Sequence, residues 1–258
     1  MSTARRLPGL VLPPIILGAI LIGLWQALVD GFAIQSWILS SPSEIWRQLI
    51  SLFSGIVTAT TNTGVNTIVG LVVGVVVAVV LAALCTRLRF LGHAVTPVVG
   101  ALAAVPIVCT APLFLFMYGL TSSTPRRAVV AIAAFVPVYL NMIRGLSEIS
   151  SVHDDLMRSL AASRTDVLRI IRFPGALPHF CTGLRIAASL AVISAVVSEY
   201  FGGLQNGLGY FISDQAHSTN YPAAWAAVLA SVVLGLVFFA GALLLERVLL
   251  ERRGASAS

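Results

Sequence analysis

A stretch of 36 residues, 90–125, contains no Asp, Glu, Lys or Arg. About 20 consecutive apolar residues suffice to cross the hydrocarbon core of a bilayer as a helix. In that core no water reaches the backbone, so every N–H and C=O must be satisfied by the protein itself, and helices are the expected solution. The rest of the chain agrees: 58% of its residues are hydrophobic and 10% are charged, against about 25% charged in an ordinary soluble domain. An all-α, polytopic membrane protein is expected, read as one transmembrane domain over residues 1–258.

Charge-poor runs predict six transmembrane helices at 10–29, 64–86, 95–117, 128–143, 177–199 and 223–245. The first follows Arg5 and Arg6, exceeds an ordinary signal-peptide core and has no A-x-A site after it, so it is expected to be retained. Pro97, Pro106 and Pro112 should kink or break the third. The fourth has sixteen residues between Arg127 and Arg144 and spans if those arginines extend their stems toward the headgroups. In the fifth, thirteen residues separate Arg185 from Glu199, about 20 Å of helix against a core of about 30 Å. Either both charges lie near the interfaces or they face protein and water. Along the second span Gly70, Gly74, Ala78 and Ala82 form a small-residue ridge. Such ridges let helix backbones approach closely in lipid, and packing within one chain is favoured over a contact between chains.

Six spans put both termini on one side. Twelve of the sixteen arginines fall on that side, Arg47, Arg126 and Arg127 fall on the other, and Arg185 lies within the fifth span. Loops rich in arginine stay in the cytoplasm, so the termini and the loop between spans four and five are expected there.

All sixteen basic residues are arginine. Without lysine there is no standard phosphate-binding loop for ATP, so ATP-driven work would fall to a partner. Cys85, Cys109 and Cys181 are far apart in apolar surroundings and read as small core hydrophobes. His93, His153, His179 and His217 have no metal-ligand spacing, and no metal site is assigned. The arginines are not clustered with aromatics as a nucleic-acid surface requires. There is no G-x-S-x-G elbow, and the adjacent Asp154 and Asp155 point about 100° apart on a helix. They read as helix-start charges, and no residue is assigned as catalytic.

Residues 145–177 stand apart, with eight of the twenty-six charged residues. Val152, Leu156 and Leu160 recur every fourth position as one face of a short helix. Ser163 and Asp166 have the S-x-x-D spacing of a capping box that restarts a helix after a corner at 161–163. In that second helix Val167, Ile170 and Ile171 face one way and Arg169 and Arg172 another, and Pro174 is expected to end it. By pattern alone the element either lies in the headgroup layer or docks into a groove on a partner.

From Asp155 the chain reads Asp155-Leu156-Met157, three residues, Ala161, nine residues, then Ile171-Arg172-Phe173-Pro174. This spacing resembles the cytoplasmic E-A-A-x3-G-x9-I-x-L-P signature of permease subunits of bacterial ABC importers. Aspartate replaces the glutamate, Leu-Met replaces Ala-Ala, Ala161 stands at the usual glycine and Phe173 at the leucine. Ser40-Ser41-Pro42, Ala104-Val105-Pro106, Pro112-Leu113-Phe114, Ala162-Ser163-Arg164, the run from Pro174 to Pro178 and that from Thr182 to Ala187 are similar to the nitrate, sulfonate and taurine branch. Glu199 to Gly203 and Gly207 to Tyr210 match its glutamate and G-L-G elements. That branch also includes transporters of vitamin precursors.

The resemblance implies a type I ABC importer permease fold in the bacterial inner membrane. It implies a second permease copy, usually identical, two ATPase subunits that hold the ATP and Mg, and an extracytoplasmic substrate-binding protein. Residues 145–177 become the coupling loop, carried by Asp155, Leu156, Leu160, Ala161, Ala162, Ser163, Arg164, Asp166, Ile171 and Pro174. Glu199 and Arg185 are the candidates for the substrate path or its gate, with an organising role in the loop up to Ala223 as the other reading of Glu199. Gly202, Gly203, Gly207 and Gly209 are expected to permit tight turns. The rival reading is a secondary transporter working without an ATPase, but neither an inverted repeat nor an unwound polar midplane site is clear.

Overall fold

The computed structural model describes residues 7–119, 122–148, 155–157, 159–202 and 205–254, and no strand occurs among them. Its helices are α1 (Leu7–Gly31), α2 (Pro42–Ser51), α3 (Phe53–Arg87), α4 (Arg89–Leu102), α5 (Ile107–Tyr118) and α6 (Thr124–Ser147). They continue with α7 (Arg164–Val167), a π turn (Leu168–Arg172), α8 (Phe173–Tyr200), α9 (Leu208–His217) and α10 (Tyr221–Gly254). Among the described residues five stretches are long and apolar enough to cross a membrane: Leu12–Gly31, Phe53–Arg87, Thr124–Ser147, Thr165–Tyr200 and Tyr221–Glu251.

The expected third span is instead two helices. Their 14 and 12 residues rise about 21 and 18 Å, and neither alone crosses a core of about 30 Å. Pro106 makes the break, with extended backbone at ψ 116° and no N–H to continue the ladder. Ala104 and Val105 close the preceding turn with three-residue hydrogen bonds to Ala101 and Leu102. Pro97 and Pro112 stay inside α4 and α5.

The core lies along α6, between α3 and α8. Ala78, Ala82, Ala134, Val138, Tyr139, Met142, Leu146 and Ala176 form its main cluster. The ridge on α3 does pack within the chain: Gly70 lies against Val130 and the Arg127 carbonyl, and Gly74 against Ala131 and Ala134. On the opposite flank of α6 a Cβ at Gly145 would come 2.9 Å from the Ala176 Cα, and one at Gly183 would come 3.0 Å from the Pro137 carbonyl. Burying apolar surface gives little drive between helices in lipid, so close backbone contact carries the packing. Cys85 and Cys181 are buried in this core as expected, whereas Cys109 is exposed on α5.

Four charged residues near span boundaries, Arg126, Arg127, Arg185 and Glu199, make protein contacts rather than reaching outward. Arg126 is fully buried and donates to the Asn206 side chain at 3.0 Å, and Arg127 donates to Asn66 at 3.2 Å. Arg185 pairs with Glu246 of α10 at 3.3 Å, and Glu199 is fully buried. The fourth span therefore does not rely on stems extended to headgroups at its start, where Arg126 and Arg127 hydrogen-bond within the bundle, and α6 runs to 24 residues.

Candidate functional site

At the end of the bundle carrying residues 145–177, Glu148 pairs with His179 at 3.0 Å and ties the end of α6 to the start of α8. Asp155–Met157 form a helical turn, and Leu160 N–H donates to the Leu156 carbonyl at 3.1 Å. The turn then stops. Ala161 takes φ +52°, and Ala162 N–H reaches back to the Met157 carbonyl at 3.0 Å. A left-handed residue closed by a six-residue bond is a Schellman stop, usually built on glycine. Alanine holds the same backbone at a steric cost of about 1 kcal/mol.

The helix restarts at once. Ser163 N–H donates to Asp166 Oδ2 at 3.1 Å, Asp166 N–H donates to Ser163 Oγ at 3.2 Å, and the Ser163 hydroxyl donates to the same carboxylate at 2.5 Å. This is the reciprocal capping box that the S-x-x-D spacing predicts. Stop and restart within three residues fix the corner through local bonds alone.

Pro174 does not end the second helix; the chain runs on into α8. In a regular helix the proline ring would meet the carbonyl four residues back, and its N–H would be missing. The π turn immediately before it shifts the ladder, with Phe173 N–H donating to Leu168 five residues earlier. The wider turn also redistributes the side chains. Ile170 is exposed beside Arg169, while Val167, Ile171 and Arg172 are half-buried, so the expected split of apolar from basic faces does not hold.

Three apolar side chains point outward: Leu156, Leu160 and Ile170, at 52%, 66% and 63% exposure. Asp155, Ser163 and Asp166 are exposed and Ala162 and Pro174 half-buried. The element is braced by residues the sequence pattern did not single out. Met157 is buried, Leu168 and Phe173 pack on the core, and Arg172 donates to the Leu146 carbonyl at 3.3 Å. Val152, His153, Asp154, Arg158 and the Arg164 side chain lie outside the described residues.

At the opposite end Glu199 organises a buried polar cluster. Its Oε2 accepts from the Thr63 hydroxyl at 2.7 Å and from Gly209 N–H at 3.2 Å, and Thr63 Oγ1 accepts from Leu208 N–H at 2.9 Å. The first amides of α9 have no side-chain cap of their own; α3 and α8 supply it. A carboxylate at a helix start is also favoured by the helix dipole. Arg126 attracts Glu199 across the cluster, and Asn62 donates to the Asn206 carbonyl at 2.8 Å.

This geometry explains the glycines differently from the sequence. Gly202 does turn, at φ +121°. Gly207 has φ −109°, and a Cβ there would overlap the Glu199 carboxylate. At Gly209 a Cβ would overlap the Val196 carbonyl. Both are small because α9 sits directly on Glu199. Gly203 lies outside the described residues. Arg185 is not part of this cluster: it is fourteen residues from Glu199 on α8, about 21 Å along the helix. Thr63, Asn66, Arg126 and Asn206 were missed. The polar run at 58–67, which leads into the start of the expected second span, is the available signal.

The sequence profile of the family described as "Binding-protein-dependent transport system inner membrane component" matches residues 70–250. The chain belongs to this family. Among its relatives is the riboflavin transport system permease protein RibX of Chloroflexus aurantiacus, 33% identical over 249 residues, covering 95% of this chain and 90% of that protein. The formylaminopyrimidine transport permease protein ThiX of Halalkalibacterium halodurans is 33% identical over 161 residues, 62% of this chain and 64% of that protein. The nitrate import permease protein NrtB of Synechococcus elongatus is 30% identical over 149 residues, 58% of this chain and 53% of that protein. Against ThiX and NrtB the matched region spans less than two thirds of the relative's length. In fold, the chain is similar to a crystal structure of an amino acid ABC transporter with histidines, with TM-score 0.60 and 16% identity over 77% of this chain and 96% of that one. The fold is that of a type I importer permease, and the protein is a multi-pass membrane permease.

Proposed function

We propose that this permease forms the substrate path of an ATP-driven importer for a small solute and moves by alternating access. Two copies of the chain surround the path, two ATPase subunits carrying ATP and Mg bind below, and a substrate-binding protein delivers from the other side of the inner membrane. Residues 145–177 and both termini face the cytoplasm in this reading, which the arginine distribution supports.

One observation carries it. Leu156, Leu160 and Ile170 are held outward on a corner that the Ala161 stop and the Ser163–Asp166 box make rigid. A rigid corner presenting apolar side chains fits a socket on a partner, the helix-in-groove mode, and transmits the partner's motion into α8 through the continuous π turn. Relatives named for riboflavin, formylaminopyrimidine and nitrate transport support a small solute: a vitamin precursor or a nitrate-, sulfonate- or taurine-like compound.

The test is uptake in proteoliposomes containing the permease, its ATPase subunits and its binding protein. Disabling the ATP site of the partner should abolish uptake; uptake at the normal rate would mean a secondary transporter. Replacing Ala161 and Ser163 with bulky residues should leave ATP hydrolysis running while uptake falls, with the helices still inserted.

A further inference from the structure

A cavity of about 740 Å³ opens at the loop-bearing end, between the α3–α4 corner, the end of α6 and the π turn. Its volume lies in the range that holds small organic ligands. Cys85, Pro97 and Ile143 give it apolar wall, while Arg144, Arg172 and His93 stand around it. Among the described residues no carboxylate lines it. The nearby acid at the end of α6, Glu148, is engaged by His179 at 3.0 Å.

The arginines are underused by the fold. Arg144 makes no side-chain hydrogen bond or ion pair with another described residue, and Arg172 gives one Nη to the Leu146 carbonyl at 3.3 Å. A guanidinium has five donors in a planar fork suited to oxyanions. Two such forks over an apolar hollow match a charged oxygen head on a hydrocarbon stem. Basic pockets between membrane helices on the cytoplasmic side hold lipid headgroups by this chemistry.

We propose that this cavity binds an amphiphilic oxyanion, a phosphate, sulfonate or carboxylate head on an apolar stem, with Arg144 and Arg172 on the head and Pro97 and Ile143 along the stem. Such a ligand comes either from the membrane, as an anionic phospholipid, or from solution, as an organic anion. Arg144 ends α6 and Arg172 precedes α8, so the ligand bridges the two roots of the 145–177 segment. The assignment does not depend on the transport reading.

Two probes separate the sources. The full chain is released from phosphatidylcholine nanodiscs doped with phosphatidylglycerol and weighed by native mass spectrometry; in neutral detergent it is titrated with hexanesulfonate while thermal unfolding is followed. Wild type should retain phosphatidylglycerol, be stabilised by hexanesulfonate, or both, and each result identifies a source. Arg144→Gln should weaken the response about tenfold, the effect of losing a charge-assisted contact, and R144Q/R172Q should abolish it. R144K/R172K should keep part of the response, and the remote Arg47→Gln all of it. Arg144 has no side-chain bond to another described residue, so its single variant decides the matter if the double variant fails to fold. The proposal is overturned if wild type responds to neither probe, if folded Arg144→Gln responds like wild type, or if Arg47→Gln loses as much.

Discussion

The two ends of this bundle spend their polar groups in opposite ways. At the Glu199 end the bonds, apart from the ten-residue one from Gly209 to Glu199, join residues 61 to 145 positions apart in sequence, and the charged groups Glu199 and Arg126 are fully buried. At the loop end the corner is built from bonds three to five residues long, and its large apolar side chains are left outside. Long-range buried bonds fix helices relative to one another; short-range bonds fix the shape of one element and leave its surface to something else. The first end is a clamp on α3, α6, α8 and α9, and the second is a presenting surface.

The sharpest way to break this comparison is to remove the clamp. Glu199→Ala strands the Thr63 hydroxyl, the Gly209 amide and the Arg126 charge together. Removing one partner of a buried charge network costs about 3–5 kcal/mol. The expected result is a collapse of the monodisperse peak after detergent extraction, with Glu199→Gln recovering part of it because an amide oxygen still accepts. If the alanine variant extracts and melts like wild type, the cluster does not hold the helices together. Next in size is Gly209→Val, whose Cβ would overlap the Val196 carbonyl and crowd Glu199. Overpacking of this kind costs about 1–3 kcal/mol, read as a lowered melting midpoint of the full chain.

What was legible beforehand divides along the same line. Local chemistry was visible: the capping box, the Ala161 corner and the ridge of Gly70, Gly74, Ala78 and Ala82 all follow from fixed spacings within one helix or turn. Pairings between helices were not. Nothing in the order of residues says that Thr63 meets Glu199 across 136 positions or that Asn206 receives Arg126, so the order alone leaves Glu199 two roles and offers only turns for the glycines beside it. Pro174 departs from its local rule, which is to stop a helix, for a related reason: the π turn before it lets the helix pass, and Leu168 and Phe173, which close that turn, pack on the core.

At the presenting end the effects should be smaller and local. Ser163→Ala removes the acceptor for Asp166 N–H, and loss of such a cap costs about 1 kcal/mol. The melting midpoint of the whole chain should barely move, because the element is anchored by Met157, Leu168 and Phe173 rather than by its cap. Amide exchange at 164–167 should accelerate roughly fivefold, the factor that about 1 kcal/mol implies for local opening. A fall in the global midpoint as large as that of Glu199→Ala would erase the distinction between clamp and surface.

The smallest effect has the opposite sign. Ala161 holds φ +52°, where a Cβ costs about 1–2 kcal/mol, and glycine removes that strain while adding about 0.4–1 kcal/mol of freedom to the unfolded chain. The difference leaves Ala161→Gly more stable by about 0.5 kcal/mol, with slower exchange at the Ala162 amide, which closes the Schellman bond to Met157. Ala161→Val must go the other way, since a β-branched side chain tolerates positive φ least. If glycine speeds exchange instead, the corner is not held against strain by its own hydrogen bonds, and its rigidity must come from contacts with the membrane helices.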